Sequence, residues 1–270
     1  MQSLLFKDLS QTQPPPPSCR ANGKRIGIGM LNSPKISAYA HYSTVINYLY
    51  ATNHDYDFIV ERSPLNTTDS WIWDDKNQYL LVWYKPEFIE RHLRNYHYFL
   101  YLDSDVFFLN FKSSIEEEII ERFDLEGPGG KDICLVVPED WFLKSTPSPR
   151  PNMFNAGIML FVNKPETFDL LNAWKLSPFT DPDCFQYRTT HPREQACLNV
   201  LYSKHDELKK KIRIAPASLG RFGQYDSEWL VHLAGVTEET RTDNTLRNMT
   251  AALNSFIANW QNAINAEKKS

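Results

Sequence analysis

Five consecutive apolar residues, Tyr98-Phe99-Leu100-Tyr101-Leu102, run straight into Asp103-Ser104-Asp105. Side chains of a strand alternate between two faces, so an unbroken apolar run needs cover on both. That argues against a half-solvated antiparallel sheet and points to an α/β fold, with helices on either side of a mostly parallel central sheet. The neighbouring segments agree. Arg25 to Leu31 alternates Ile26, Ile28 and Met30, as an initial strand should. Residues 37–51 place Tyr42, Val45, Ile46 and Leu49 on one helical face, and Tyr56 to Val60 reads as a second strand. Strand, helix and strand at this spacing predict a right-handed βαβ unit. Further helices are expected over 87–94 (behind Pro86), 166–175 and 193–203. Further strands are expected over 133–137, 157–162, 212–215 and 229–233.

Pro14 to Pro17 fit neither a helix nor a central strand, so residues 1–22 read as an extended Pro-rich tail. Residues 23–270 are then one domain. It closes on an amphipathic helix, about 244–266, carrying Leu246, Met249, Leu253, Phe256, Trp260 and Ile264. The Pro-rich loop 140–152 is the segment expected to move. A length of 270 residues suits one α/β domain with a tail. A net charge of -4 gives no nucleic-acid footprint. No apolar run approaches the roughly 18 residues of a membrane span. Cys19, Cys134, Cys184 and Cys197 lack CxxC spacing, which argues against a zinc site and permits up to two disulfides. The first residues carry Lys7 and Asp8 and no apolar signal core. As written, the chain reads as cytoplasmic, with the Golgi lumen as the alternative if an anchor has been lost.

Four pieces could carry chemistry. Asp103 and Asp105 sit at the carboxyl end of a buried strand, where open α/β sheets bind ligands. Two adjacent carboxylates repel unless a cation lies between them, and a hard divalent ion could bridge them to a diphosphate. A solvated acidic turn would look the same. Phe154-Asn155-Ala156-Gly157 puts small residues and one amide before an apolar strand, which is also an ordinary turn. Arg193-Glu194-Gln195 opens a helix, where a carboxylate also favours the dipole. His232 follows an apolar strand, as many structural histidines do. If these strands lay parallel in one sheet, their ends would meet at the ligand-binding edge. An apolar strand followed by DxD occurs in haloacid dehalogenase-like phosphatases and in nucleotide-sugar glycosyltransferases. The phosphatase pattern DxDx[TV] has Phe107 at its fifth position here, and two strands precede it. Gly27-Ile28-Gly29 lacks the third glycine of a dinucleotide fingerprint, since Asn32 stands there.

The order of the four pieces resembles the retaining GT-A glycosyltransferases, closest to the galactosyl- and xylosyltransferase family of the GMA12/MNN10 type. Glycogenin-like enzymes are more distant relatives. The resemblance spans roughly residues 24–236. It includes Asn47 to Tyr56 (NYLYATNHDY), Trp83-Tyr84-Lys85, FNAGIML with Leu170-Leu171-Asn172-Ala173-Trp174, REQACLNVL, and Val231-His232-Leu233-Ala234-Gly235. It implies a metal-dependent transferase moving a sugar, with retention, from a nucleoside-diphosphate sugar, most simply a UDP-sugar, to a glycan or glycoconjugate hydroxyl. Asp103, Asp105 and His232 would hold manganese or magnesium. Lys85, Asp103, Ser104, Asn155, Ala156, Gly157, Gln195 and Gly235 would contact the donor. Glu194 would act as nucleophile or electrostatic stabiliser. Glycogenin-like enzymes place a diphosphate-binding lysine where Glu238 stands here, leaving Arg221 or Arg241 as substitutes. The alternatives are a DxD-type phosphohydrolase and a non-catalytic nucleotide-sugar-binding protein.

Overall fold

The computed structural model describes residues 23–32, 37–62, 82–140, 154–188, 190–219, 221–222 and 229–233, with positions 247, 250, 254, 257 and 258 of the C-terminal stretch. The tail 1–22, most of the loop 140–152, and Leu246, Met249, Leu253, Phe256, Trp260 and Ile264 of the 244–266 helix lie outside the described residues. The five C-terminal positions that are described are helical and exposed.

The first half contains β1 (Ile26–Asn32), α1 (Ser37–Asn53), β2 (Asp57–Arg62), α2 (Lys85–Leu93), β3 (Tyr98–Leu102) and β4 (Val106–Phe108). There follow β5 (Leu135–Pro138), β6 (Ile158–Val162), α3 (Pro165–Thr180), a 3-10 helix (Pro182–Arg188), α4 (Glu194–Lys204), α5 (Asp206–Lys211), β7 (Ile212–Ala215), β8 (Arg221–Phe222) and β9 (Leu230–His232). Six strands form the central sheet in the order β2-β1-β3-β6-β5-β7. β6 pairs antiparallel with both β3 and β5, while the other neighbours pair in parallel.

Both faces of β3 are covered, as its apolar run requires. Leu100 and Leu102 pack with Ile28, Met30 and Leu160 against Ile46 and Tyr50 of α1. Phe99 and Tyr101 pack with Met159 and Phe161 against Phe88 of α2, Trp174 of α3 and Leu198 of α4. Gly29 is small for a reason. A Cβ there would lie 2.3 Å from Phe99 Cζ and 2.9 Å from Phe88 Cε1.

Two sequence expectations are corrected. The buried face of α1 is Tyr39, Ala40, Ser43, Ile46, Asn47 and Tyr50, whereas Val45 is 41% exposed. The face is rotated because its polar members bind backbone: Asn47 Nδ2 donates to Val106 O (2.8 Å), and Phe108 N donates to Asn47 Oδ1 (3.1 Å). These bonds anchor the strand that follows the DxD segment. His232 is not on a parallel strand of the central sheet. It lies on β9 of a separate three-stranded sheet, β4-β9-β8, where it pairs antiparallel with Val106. The short β4 turns out of the main sheet directly after Asp105 and carries β9 with it.

Among the described residues, Cys134, Cys184 and Cys197 are buried free thiols, and no helix is long and apolar enough to cross a membrane. Cys19 lies outside the described residues.

Candidate active site

The reversal of β6 builds the site. In register with β3, Ile158 pairs with Leu102, so the start of β6 meets the end of β3. Asp103 N donates to Gly157 O at 2.8 Å. The segment Asn155-Ala156-Gly157 therefore lies beside Asp103-Ser104-Asp105.

Ser104 turns away from its neighbours. It is buried, its Oγ donates to Leu31 O at 2.7 Å, and its carbonyl accepts the Ser43 hydroxyl. Its side chain anchors the turn from the interior. On the other side, Asp103, Asp105 and His232 converge, with one ligand atom of each within 4.8 Å of the others. His232 Nε2 is 3.3 Å from Asp105 Oδ1, and Leu233 N donates to Asp105 O at 3.0 Å. The ring lies in a cradle that only glycine leaves open: a Cβ on Gly157 would stand 2.2 Å from His232 Cε1. Two carboxylates and an imidazole suit a divalent metal ion.

Beneath this triad lies a buried cation. Lys85, 2% exposed at the start of α2, donates to Glu194 Oε1 (2.8 Å) and Ala156 O (3.1 Å) and pairs with Asp103 Oδ1 (3.0 Å). Burial pulls its pKa down, but the Asp103 and Glu194 carboxylates outweigh that and hold the ammonium above the ordinary lysine range. Glu194 is buried at the first turn of α4. Burial raises its carboxyl above the usual range, against the opposing pull of Lys85. Trp174 Nε1 donates to Glu194 O at 2.8 Å, which fixes that turn from α3. Tyr101 OH donates to Asp103 Oδ1 at 2.9 Å, and burial, then Asp103, raises the phenol well above its usual value.

Gln195 Oε1 accepts from Ala156 N (2.9 Å) and Asn155 Nδ2 (3.2 Å), and its Nε2 donates to Asp140 Oδ2 (2.9 Å). Asn155 Oδ1 accepts from Gly157 N at 2.8 Å. Asn199, one turn along α4, exchanges bonds with the Phe154 backbone.

Ten of the eleven site residues expected from sequence thus fall in one region. Gly235 lies outside the described residues, as do Glu238 and Arg241. Lys85 and Ser104 are enclosed by protein partners. Tyr101, Asp140 and Asn199 were missed. Tyr101 was absorbed into the apolar strand, although the i, i+2 spacing to Asp103 puts both on one face. Asp140 stood in a loop with no pattern to mark it. Asn199 was visible as a polar residue four places after Gln195, on the same helical face.

The chain matches the profile of the galactosyl transferase GMA12/MNN10 family over residues 39–256. No curated protein sequence matches it significantly. It resembles a glycosyltransferase involved in glycosylation of the major capsid of PBCV-1, with TM-score 0.61 and 18% identity over 83% of this chain and 99% of that one. It also resembles the galactosyltransferase LgtC, solved with donor and acceptor sugar analogs, with TM-score 0.52 and 13% identity over 84% and 95% of the two chains. At such identities the likeness is one of fold, the GT-A glycosyltransferase fold.

Proposed function

The chain belongs to the galactosyl transferase GMA12/MNN10 family, and from that premise we propose that this glycosyltransferase is metal-dependent, takes a UDP-sugar and transfers its sugar with retention. The observation that carries the reading is the convergence of Asp103, Asp105 and His232 beside a carboxylate, Glu194, tied to Asp103 through one lysine.

Asp103, Asp105 and His232 would hold manganese, or magnesium. Bound there, the ion supplies Lewis-acid neutralisation of the charge developing on the leaving diphosphate. The protein's own groups do the rest. Asn155, Ala156, Gly157 and Gln195 form a strip of amides and small residues that the donor sugar can approach closely. Lys85 grips Glu194 Oε1 and orients the carboxylate. Ionised Glu194 faces positive charge developing at the anomeric carbon, either stabilising it or bonding to it transiently. The acceptor, a glycan or glycoconjugate hydroxyl, attacks from the face the diphosphate leaves.

A panel of nucleotide sugars, with and without manganese, tests the donor and metal. NMR of the fresh linkage tests the stereochemistry. Transfer that survives chelation overturns the metal dependence, and an inverted product overturns the retention.

A further inference from the structure

The strip before β6 contains two side-chain amides whose direction decides what a ligand meets. The polarity of each can be worked out from groups that cannot turn. Ala156 N–H can only donate, so the Gln195 atom 2.9 Å away is Oε1. Nε2 is then the atom facing Asp140 Oδ2 at 2.9 Å. With Oε1 fixed, Asn155 must present Nδ2 to it (3.2 Å), which leaves Asn155 Oδ1 for Gly157 N–H (2.8 Å). One carboxylate and two backbone N–H groups thus set the whole strip. The carboxylate bond is charge-assisted and about twice as strong as its neutral neighbours.

Asp140 is well placed to serve as the fixed point. It is buried and follows β5 directly, two residues after Pro138, whose carbonyl accepts Asn155 N at 2.9 Å. Glu139 bridges antiparallel to Phe154. The ends of β3 and β5 and the start of β6 therefore share one edge, and Asp140 stands there in contact with Gln195.

We infer that Asp140 is a positioning residue for the donor-reading strip: it fixes the direction of the Gln195 amide, and through it that of Asn155. The inference rests on the proposed reading that this strip faces the donor sugar.

A charge-swap cycle tests it. Gln195→Glu keeps an oxygen for Ala156 N–H but sets a carboxylate against Asp140. The unfolding midpoint should fall, and the KM for UDP-sugar hydrolysis should rise about tenfold, with kcat moving less. Asp140→Asn alone replaces the charge-assisted contact with a weaker neutral one, so KM should rise by about threefold, less than in Gln195→Glu. In the double variant the new amide at position 140 donates to the new carboxylate at position 195, so midpoint and KM should both recover. UDP-galactose, UDP-glucose and UDP-xylose with manganese are the probes. A double variant no better than Gln195→Glu in midpoint, or in KM, overturns the inference. Should the parent protein turn over none of the probes, the donor reading has failed, and the midpoint cycle decides the amide orientation alone: recovery supports it and additivity overturns it.

Discussion

Gly157→Ala should disturb the proposed metal site while leaving the identity of Asp103, Asp105 and His232 unchanged. The added Cβ would lie 2.2 Å from His232 Cε1, 2.9 Å from His232 Nδ1 and 2.8 Å from Asn155 Oδ1. Carbon atoms settle at about 3.5–4.0 Å, so the imidazole must recede by at least roughly 1.3 Å. The backbone gives little room for this. β9 is paired with β4 through Val106 and His232, and Gly157 O holds Asp103 N. The ring must therefore rotate, carrying Nε2 from its place 3.3 Å from Asp105 Oδ1. Overpacking of this kind costs about 1–3 kcal/mol of stability. Displacing one of three ligands should weaken manganese-dependent UDP binding about 10–100-fold, the range for disturbed metal surroundings. Calorimetric titration of UDP with and without manganese reads the affinity, and thermal unfolding reads the stability. The second arm is decisive. In a His232→Ala background only the 2.8 Å approach to Asn155 Oδ1 is left of the clash, so Gly157→Ala should add less to either loss than it costs in the parent protein. Two substitutions that add in full would show that the glycine does not act through the histidine.

Glu194→Gln should reduce transfer by more than about tenfold, roughly 1.4 kcal/mol of transition-state stabilisation, while the fold persists. A smaller loss removes Glu194 from the chemistry. Because burial raises the Glu194 carboxyl, the ionised form is lost at a higher pH than for an ordinary glutamate, about 4.3. The acid limb of kcat/KM should stand above that value in the parent protein, and a parent limb at the ordinary value would contradict the raised carboxyl. Glu61 behaves oppositely. Burial raises its carboxyl, but bonds from His92 (2.8 Å) and Arg91 (2.7 Å) outweigh that and hold it below the usual range. Its contribution to stability is therefore present above the unfolded-state pKa and lost as pH falls through the depressed one. Glu61→Gln should cost about 1 kcal/mol at pH 7 in denaturant unfolding, and the gap should close in acid.

The sequence revealed the elements that repeat a simple rule. The apolar run 98–102 is β3 residue for residue, and Ile212 to Ala215 is β7. Pro86 stands in the first turn of α2, as its fixed φ favours. The carboxyl end of β3 reads as a candidate ligand edge because two adjacent carboxylates repel unless a cation lies between them. The α1 face was misjudged because hydropathy cannot see a buried Asn47 that binds both sides of a β4 peptide stretch. Long-range pairing was equally hidden. Val106 and His232 are far apart in sequence, and a three-residue strand offers no pattern that names its partner. The same blindness left Asp140 unmarked, since its meaning comes from a glutamine on α4, distant in sequence.

One structural choice, the direction of β6, links these hidden features. Were β6 parallel to β3, its C-terminal end, Val162, would lie at the ligand edge and Asn155 to Gly157 would be carried to the far side of the sheet. Running antiparallel, it sets Gly157 against His232 and its carbonyl on Asp103 N, and puts Ala156 O over Lys85. Lys85 then has a third acceptor besides its two carboxylates. An ammonium has three donors, so each is used. This is why a lysine can be buried there, and why Glu194 and Asp103, far apart in the chain, are held around one point. Buried ion pairs are weak sources of stability but costly to leave half-made. Removing the Lys85 charge would leave the buried Glu194 carboxylate and the partly exposed Asp103 carboxylate facing each other. The arrangement therefore fixes the relative positions of Asp103 and Glu194 before any ligand arrives, and under the proposed function that is the preorganisation that transfer chemistry requires.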